Sequence, residues 1–102
     1  EMCIRDSVGV CAMCKMKSGG YDYELAKLAV APESRGFGIG RMLCEAAIDK
    51  ARKTGARKLF LESNTVLRPA ISLYRKLGFR ELKEYHPAYV RGDIQMELIL
   101  NP

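Results

Sequence analysis

Arg35-Gly36-Phe37-Gly38-Ile39-Gly40-Arg41 alternates three glycines with single residues between two arginines, a pattern whose chemistry is the binding of an anion. Glycine takes positive φ without the steric cost of a Cβ, so successive backbone N–H groups can converge on one cluster of oxygens. A helix opening at the last glycine adds its unpaired first amides and the positive end of its dipole. A hydrogen bond to a charged group contributes about 1.5–3 kcal/mol, so three or four would dominate the affinity for a diphosphate. The bland alternative is a plain glycine turn, and the flanking arginines count against it. Other phosphate loops fit less well. The Walker loop ends in Gly-Lys-Ser/Thr, whereas Gly40 is followed by Arg41-Met42. The dinucleotide fingerprint is Gly-x-Gly-x-x-Gly directly after a strand. Here the spacing is Gly-x-Gly-x-Gly and Ala31-Pro32-Glu33-Ser34-Arg35 intervenes, although Glu62 stands roughly where a ribose-binding acid would.

Such a turn needs a strand before it and a helix after it. The apolar run from Val8 to Met16 stops at Lys17-Ser18-Gly19-Gly20, and a second run from Tyr21 to Val30 completes a hairpin closed by Pro32. Beyond the glycines, Leu43, Ala47, Ile48 and Ala51 recur at helical spacing, and Gly55 stands where a helix C-terminus wants it. Lys58 to Leu61 is a short strand after that helix, expected to lie parallel to the strand before it through a right-handed crossover. A second helix starts near Pro69, carries Ala70, Leu73, Tyr74 and Leu77 on one side, and stops at Gly78, with Phe79 closing its end. Strands from Phe79 to Tyr85 and from Asp93 to Leu100 follow. The order is ββαβαββ: an α/β chain with a central mixed sheet flanked by helices. Glu1 to Ser7 shows no helix or strand periodicity and reads as foreign or frayed.

With 102 residues, 48% of them hydrophobic, the chain suits one domain and not two independent cores. A net charge of +5 favours an anionic partner without choosing among nucleic acid, an acidic surface and a polyphosphate cofactor. Lys50, Arg52, Lys53, Arg57 and Lys58 lie at or beyond the C-terminal end of the first helix, where cations suit the dipole, so a solvated surface is favoured over a nucleic-acid patch. No apolar run approaches the roughly 20 residues of a membrane helix, and a cytoplasmic protein without membrane partners is the expectation. The Cys11-x-x-Cys14 spacing lies on a strand, where residues three apart face opposite ways, so the cysteines Cys3, Cys11, Cys14 and Cys44 read as small hydrophobes and not as a metal or redox site.

From Tyr23 to Phe79 the chain resembles the GNAT superfamily of N-acetyltransferases. Their Arg/Gln-x-x-Gly-x-Gly/Ala signature is matched in full by Arg35-Gly36-Phe37-Gly38-Ile39-Gly40. A second family element, Ala-x-x-Leu/Phe-Tyr-x-x-x-Gly-Phe, stands as Ala70-Ile71-Ser72-Leu73-Tyr74-Arg75-Lys76-Leu77-Gly78-Phe79. The resemblance implies an acetyl-coenzyme A (acetyl-CoA) co-substrate without metal, its pyrophosphate held by Arg35 to Arg41. It implies that Leu28, Ala29 and Val30 pair through their backbone with the pantetheine arm. Glu24 would be the base that takes the amine proton and Tyr74 the acid that protonates the departing thiolate, with Tyr85 and Tyr89 as weaker substitutes. Arg75 and Lys76 are candidates for the adenosine phosphates. The asparagine often found three residues before the helix alanine is Leu67 here, and Asn64, one turn earlier, either serves that cofactor contact or caps the loop.

Family members begin with a strand, two helices and another strand before this hairpin, so the chain reads as a single acetyl-CoA-binding domain lacking that segment. The reaction implied is direct attack of a primary amine on the acetyl group, with a small molecule, peptide or protein as acceptor and a homodimer as a possible assembly. The base matters because an alkyl amine of pKa about 10.4 is mostly protonated at neutral pH, a deficit of roughly 4 kcal/mol. A non-catalytic acyl-CoA-binding module is the first alternative, and a basic nucleic-acid-binding domain the second.

Overall fold

The computed structural model describes residues 2–6, 8–16, 20–34, 36–83 and 92–100. The elements are β1 (Met2–Asp6), β2 (Gly9–Lys15), β3 (Tyr23–Val30), a 3-10 turn at Pro32–Ser34, α1 (Ile39–Lys53), β4 (Lys58–Ser63), α2 (Arg68–Lys76), β5 (Arg80–Glu81) and β6 (Ile94–Ile99). They build a mixed six-stranded sheet in the order β1-β2-β3-β4-β6-β5. Only β3 and β4 pair in parallel, as a strand-helix-strand crossover requires.

Both helices end as their glycines dictate. Gly55 takes φ 88° and Gly78 φ 104°. After α1, the N–H groups of Gly55 and Ala56 donate to the carbonyls of Arg52 and Ala51; after α2, those of Gly78 and Phe79 donate to Arg75 and Tyr74. This paired pattern satisfies carbonyls the helix leaves open, and Phe79 against Tyr74 supplies its hydrophobic contact, ring centroids 5.9 Å apart.

The core lies on one face of the sheet. Cys11, Met13, Leu25, Leu59, Leu61, Ile94 and Met96 meet Leu43, Cys44, Ala47, Ile48 and Ala51 of α1 and Ile71 and Tyr74 of α2 in one buried cluster. Both helices therefore cover the same face. The cross-strand partners Glu24, Phe60 and Glu97 point to the other face. There the Tyr21 hydroxyl donates to Glu97 Oε1 at 2.9 Å and Arg80 Nη2 reaches Glu97 Oε2 at 3.0 Å.

The structure corrects the reading at the N-terminus. Met2–Asp6 is a strand, antiparallel to β2 from Met2↔Met13 to Asp6↔Gly9, in the place where the resemblance puts a strand before the hairpin. A five-residue edge strand is too short to carry a periodicity of its own, and its pairing is a tertiary fact. The strand expected from Phe79 to Tyr85 is represented by Arg80–Glu81, while Tyr85, His86 and Tyr89 lie outside the described residues. No helix among the described residues is long and apolar enough to cross a membrane.

Candidate functional site

The site is made by a strand that bends. The β2–β3 register runs Met13↔Leu25 and then Ala12↔Lys27, so Ala26 is an extra residue in β3. A bulge of this kind kinks its strand and strengthens the local twist. Pairing of β3 with β4 is limited to Tyr23↔Leu59 and Glu24↔Phe60 and ends just before the bulge. Below that point the strands are tied: Asp22 N–H donates to the Lys58 carbonyl at 3.0 Å. The Asp22 carboxylate accepts the N–H groups of Arg57 and Lys58 at 2.8 and 3.1 Å. Those bonds hold the Asp22 carboxyl below its usual range. Beyond Glu24 the pairing of the two strands stops, and β3 runs on for six residues, about 20 Å, to Val30 without pairing to β4; this opening is the wedge.

The wide end of the wedge faces the glycine turn. Gly36 and Gly38 have φ of 89° and 75°, and Gly38 is the N-cap of α1, without a side-chain cap bond. The N–H of Met42 makes the first bond of the helix, to the Gly38 carbonyl at 3.1 Å, so the amides of Ile39, Gly40 and Arg41 precede the ladder. Gly40 sits beside three apolar side chains: a Cβ there would lie in ordinary contact, 3.7 Å from Val30 Cγ2, 3.8 Å from Leu73 Cδ2 and 3.9 Å from Leu28 Cδ2. These contacts bring the α1 N-terminus, the last residues of β3 and α2 together. Phe37 is 78% exposed at the tip of the turn.

The remaining residues singled out in the sequence fall as follows. Leu28 and Val30 are half-buried on the helix face, and Ala29 is exposed between them. Arg35 lies outside the described residues. Arg41 is exposed, and its Nε pairs with Glu45 Oε2 at 3.5 Å across one helical turn, so part of its charge is already answered. Asn64 is a turn residue: its carbonyl accepts the Leu67 N–H at 2.9 Å and its side chain lies beside Gly92. Glu24 is half-buried at the apex of the wedge, on the face away from the helices.

Tyr74 departs from a simple picture of an exposed acid. It is 7% exposed and packed into the core on Phe79. Burial, reinforced by the nearby Cys44 and Cys11 thiols, pushes its phenol up to about 12, so it stays protonated at any ordinary pH. Cys11 is hydrogen-bonded to Cys44 rather than associated with Cys14, and burial helps push the Cys44 thiol up. A cavity of about 580 Å³ lies on the other side of α2, lined by Thr65, Arg68, Ile71, Ser72, Arg75 and neighbours. Of the residues singled out, it holds only Arg75 and Lys76. The wedge and not that cavity has backbone amides at a helix end, which are ready donors for an anion.

The sequence and the fold of this chain recur in known proteins. Residues 5–79 match the acetyltransferase (GNAT) family. Among its relatives, the N-alpha-acetyltransferase 30 of Schizosaccharomyces pombe is 35% identical over 76% of this chain and 52% of its own length. The IAA acetyltransferase of Azospirillum brasilense is 39% identical over 78% of this chain and 52% of its own. The chain thus spans about half the length of these curated relatives. A Bacillus subtilis acetyltransferase solved in complex with CoA superposes with a TM-score of 0.75 at 25% identity, covering 92% of this chain and 70% of that one. The chain belongs to the acetyltransferase (GNAT) family.

Proposed function

We propose that this chain carries the acetyl-CoA site of an N-acetyltransferase that transfers the acetyl group to a primary amine by direct attack. The observation that carries the reading is the wedge between β3 and β4 beside the helix amides that precede the α1 ladder, together with the family match. The amides from Gly36 to Arg41 would hold the pyrophosphate, and the edge of β3 at Leu28, Ala29 and Val30 would pair with the arm as an added strand does. Acetyl-CoA supplies the activated thioester. Glu24, on the far face at the apex, accepts the proton of the incoming amine, and the Tyr74 hydroxyl donates one to the departing sulfur. The acceptor would approach from the face away from the helices, so the base and the acid stand on opposite sides of the sheet. The acceptor is proposed to be a small-molecule, peptide or protein amine, and the location cytoplasmic, in keeping with four free thiols.

Burial of Tyr74 favours a second reading, a module that binds acyl-CoA without turning it over. Labelled acetyl-CoA with a panel of amines separates the two. Binding with turnover supports the enzyme, binding alone the module, and no binding refutes both.

A further inference from the structure

The turn that launches α2 is tied down by groups outside the wedge. Thr65 donates twice to one carboxylate, its N–H to Asp93 Oδ1 and its hydroxyl to Asp93 Oδ2, each at 2.7 Å. The Asp93 N–H donates to the Ser63 carbonyl at 3.1 Å, and the Gly92 N–H to Glu62 Oε2 at 2.9 Å. Gly92 is held so closely that a Cβ would collide with the Ser63 carbonyl oxygen. The start of β6 thus clasps the end of β4 and the turn Asn64–Leu67. From that turn α2 departs, with the Ile71 N–H on the Leu67 carbonyl at 3.0 Å. Two turns further, Leu73 meets Gly40 at the α1 N-terminus.

We propose that Asp93 is a positioning residue for the coenzyme: through Thr65 it fixes the turn from which α2 leaves, and so sets how Leu73 of α2 seats against the α1 N-terminus at Gly40. The proposal rests on the acetyl-CoA reading above. Both carboxylate oxygens are engaged by a single residue, so the geometry is bidentate and resists rotation of the turn. Neither Asp93 nor Thr65 lines the wedge. Their loss would lower the fraction of chains with α2 correctly seated beside the α1 N-terminus, which lowers apparent affinity and leaves the reacting groups alone.

Asp93→Ala, which removes both bonds, is expected to weaken CoA binding about tenfold, and Thr65→Val, which removes the hydroxyl bond and keeps the N–H, about threefold, by calorimetry on variants whose melts show them folded. In turnover assays KM for acetyl-CoA should rise while kcat stays within about twofold. Thr65→Ser keeps both donors and should behave as wild type, and the double variant should lose no more than Asp93→Ala alone. Unchanged affinity in the folded variants, or kcat and affinity falling together in step with the melting temperature, would overturn the proposal. Absence of CoA binding by the wild-type chain would overturn the acetyl-CoA reading itself, and the proposal with it.

Discussion

Gly38 and Gly55 form a matched pair that the structure offers for testing the anion site. Both have positive φ, 75° and 88°, and at both a Cβ would meet nothing within 4 Å. An aspartate at either position therefore bears a similar left-handed backbone cost, about 1–2 kcal/mol, and no steric one. They differ in place, because α1 runs for 15 residues between them, about 22 Å. A charge at Gly55 is screened from the turn by more than two Debye lengths of about 8 Å. At Gly38 the new carboxylate would stand about 4 Å from a diphosphate, where each pair of like charges costs about 1 kcal/mol even at the dielectric of water. With roughly two such pairs and one displaced amide bond, worth about 1.5–3 kcal/mol, the penalty is at least about 3 kcal/mol. Gly38→Asp should therefore weaken CoA by on the order of a hundredfold, and Gly55→Asp by less than about twofold. Calorimetric titration at fixed ionic strength, on variants with matching circular dichroism, makes the comparison. Equal losses at the two positions would refute the assignment of the turn.

Tyr74→Phe keeps the ring on Phe79 and should leave CoA affinity nearly unchanged while lowering kcat by about tenfold or more; a change within about twofold returns Tyr74 to the core alone. Because its phenol is pushed up to about 12, no alkaline limb from Tyr74 should appear in the pH profile below pH 10. Glu24→Gln should lower kcat by about 10²–10⁴, and turnover within about twofold of wild type identifies another base. Asp22 has a carboxyl held low in the folded chain. Its contribution to stability is thus complete above the unfolded value near 3.9 and is lost as pH falls through the folded one. Melting temperatures of wild type and Asp22→Asn should converge below about pH 4, and a constant gap down to pH 2 would contradict this.

What the sequence made legible was local. Gly55 and Gly78 announced the helix ends because the backbone conformation they adopt is a property of glycine itself. The spacing of Leu43, Ala47, Ile48 and Ala51 marked the buried stripe of α1, which the structure returns. The glycine turn before α1 was legible for the same reason, with Gly36 and Gly38 at positive φ. The features that turn those pieces into a site are long-range. The Ala26 bulge exists only in the pairing of β3 with β2, and nothing in Leu25-Ala26-Lys27 marks it beforehand. The tie from Asp22 to Arg57 and Lys58, the clasp of Asp93 on Thr65 and the strand at Met2–Asp6 likewise join residues whose partners sequence spacing does not reveal. Tyr74 shows the limit from the other side. Its helical spacing fitted a packed residue while the family resemblance made it an acid, and the structure shows the packing.

If one ligand bridges the α1 N-terminus and the edge of β3 beyond Glu24, titration of the isotope-labelled chain with CoA will register it in the backbone amide shifts. The largest shifts are expected at Gly36, Gly38, Ile39, Gly40 and Arg41, with a second set at Leu28, Ala29 and Val30, all saturating at one concentration. Shifts confined to the cavity lined by Arg68, Ser72 and Arg75, or no saturable shifts at the glycine turn, would contradict it.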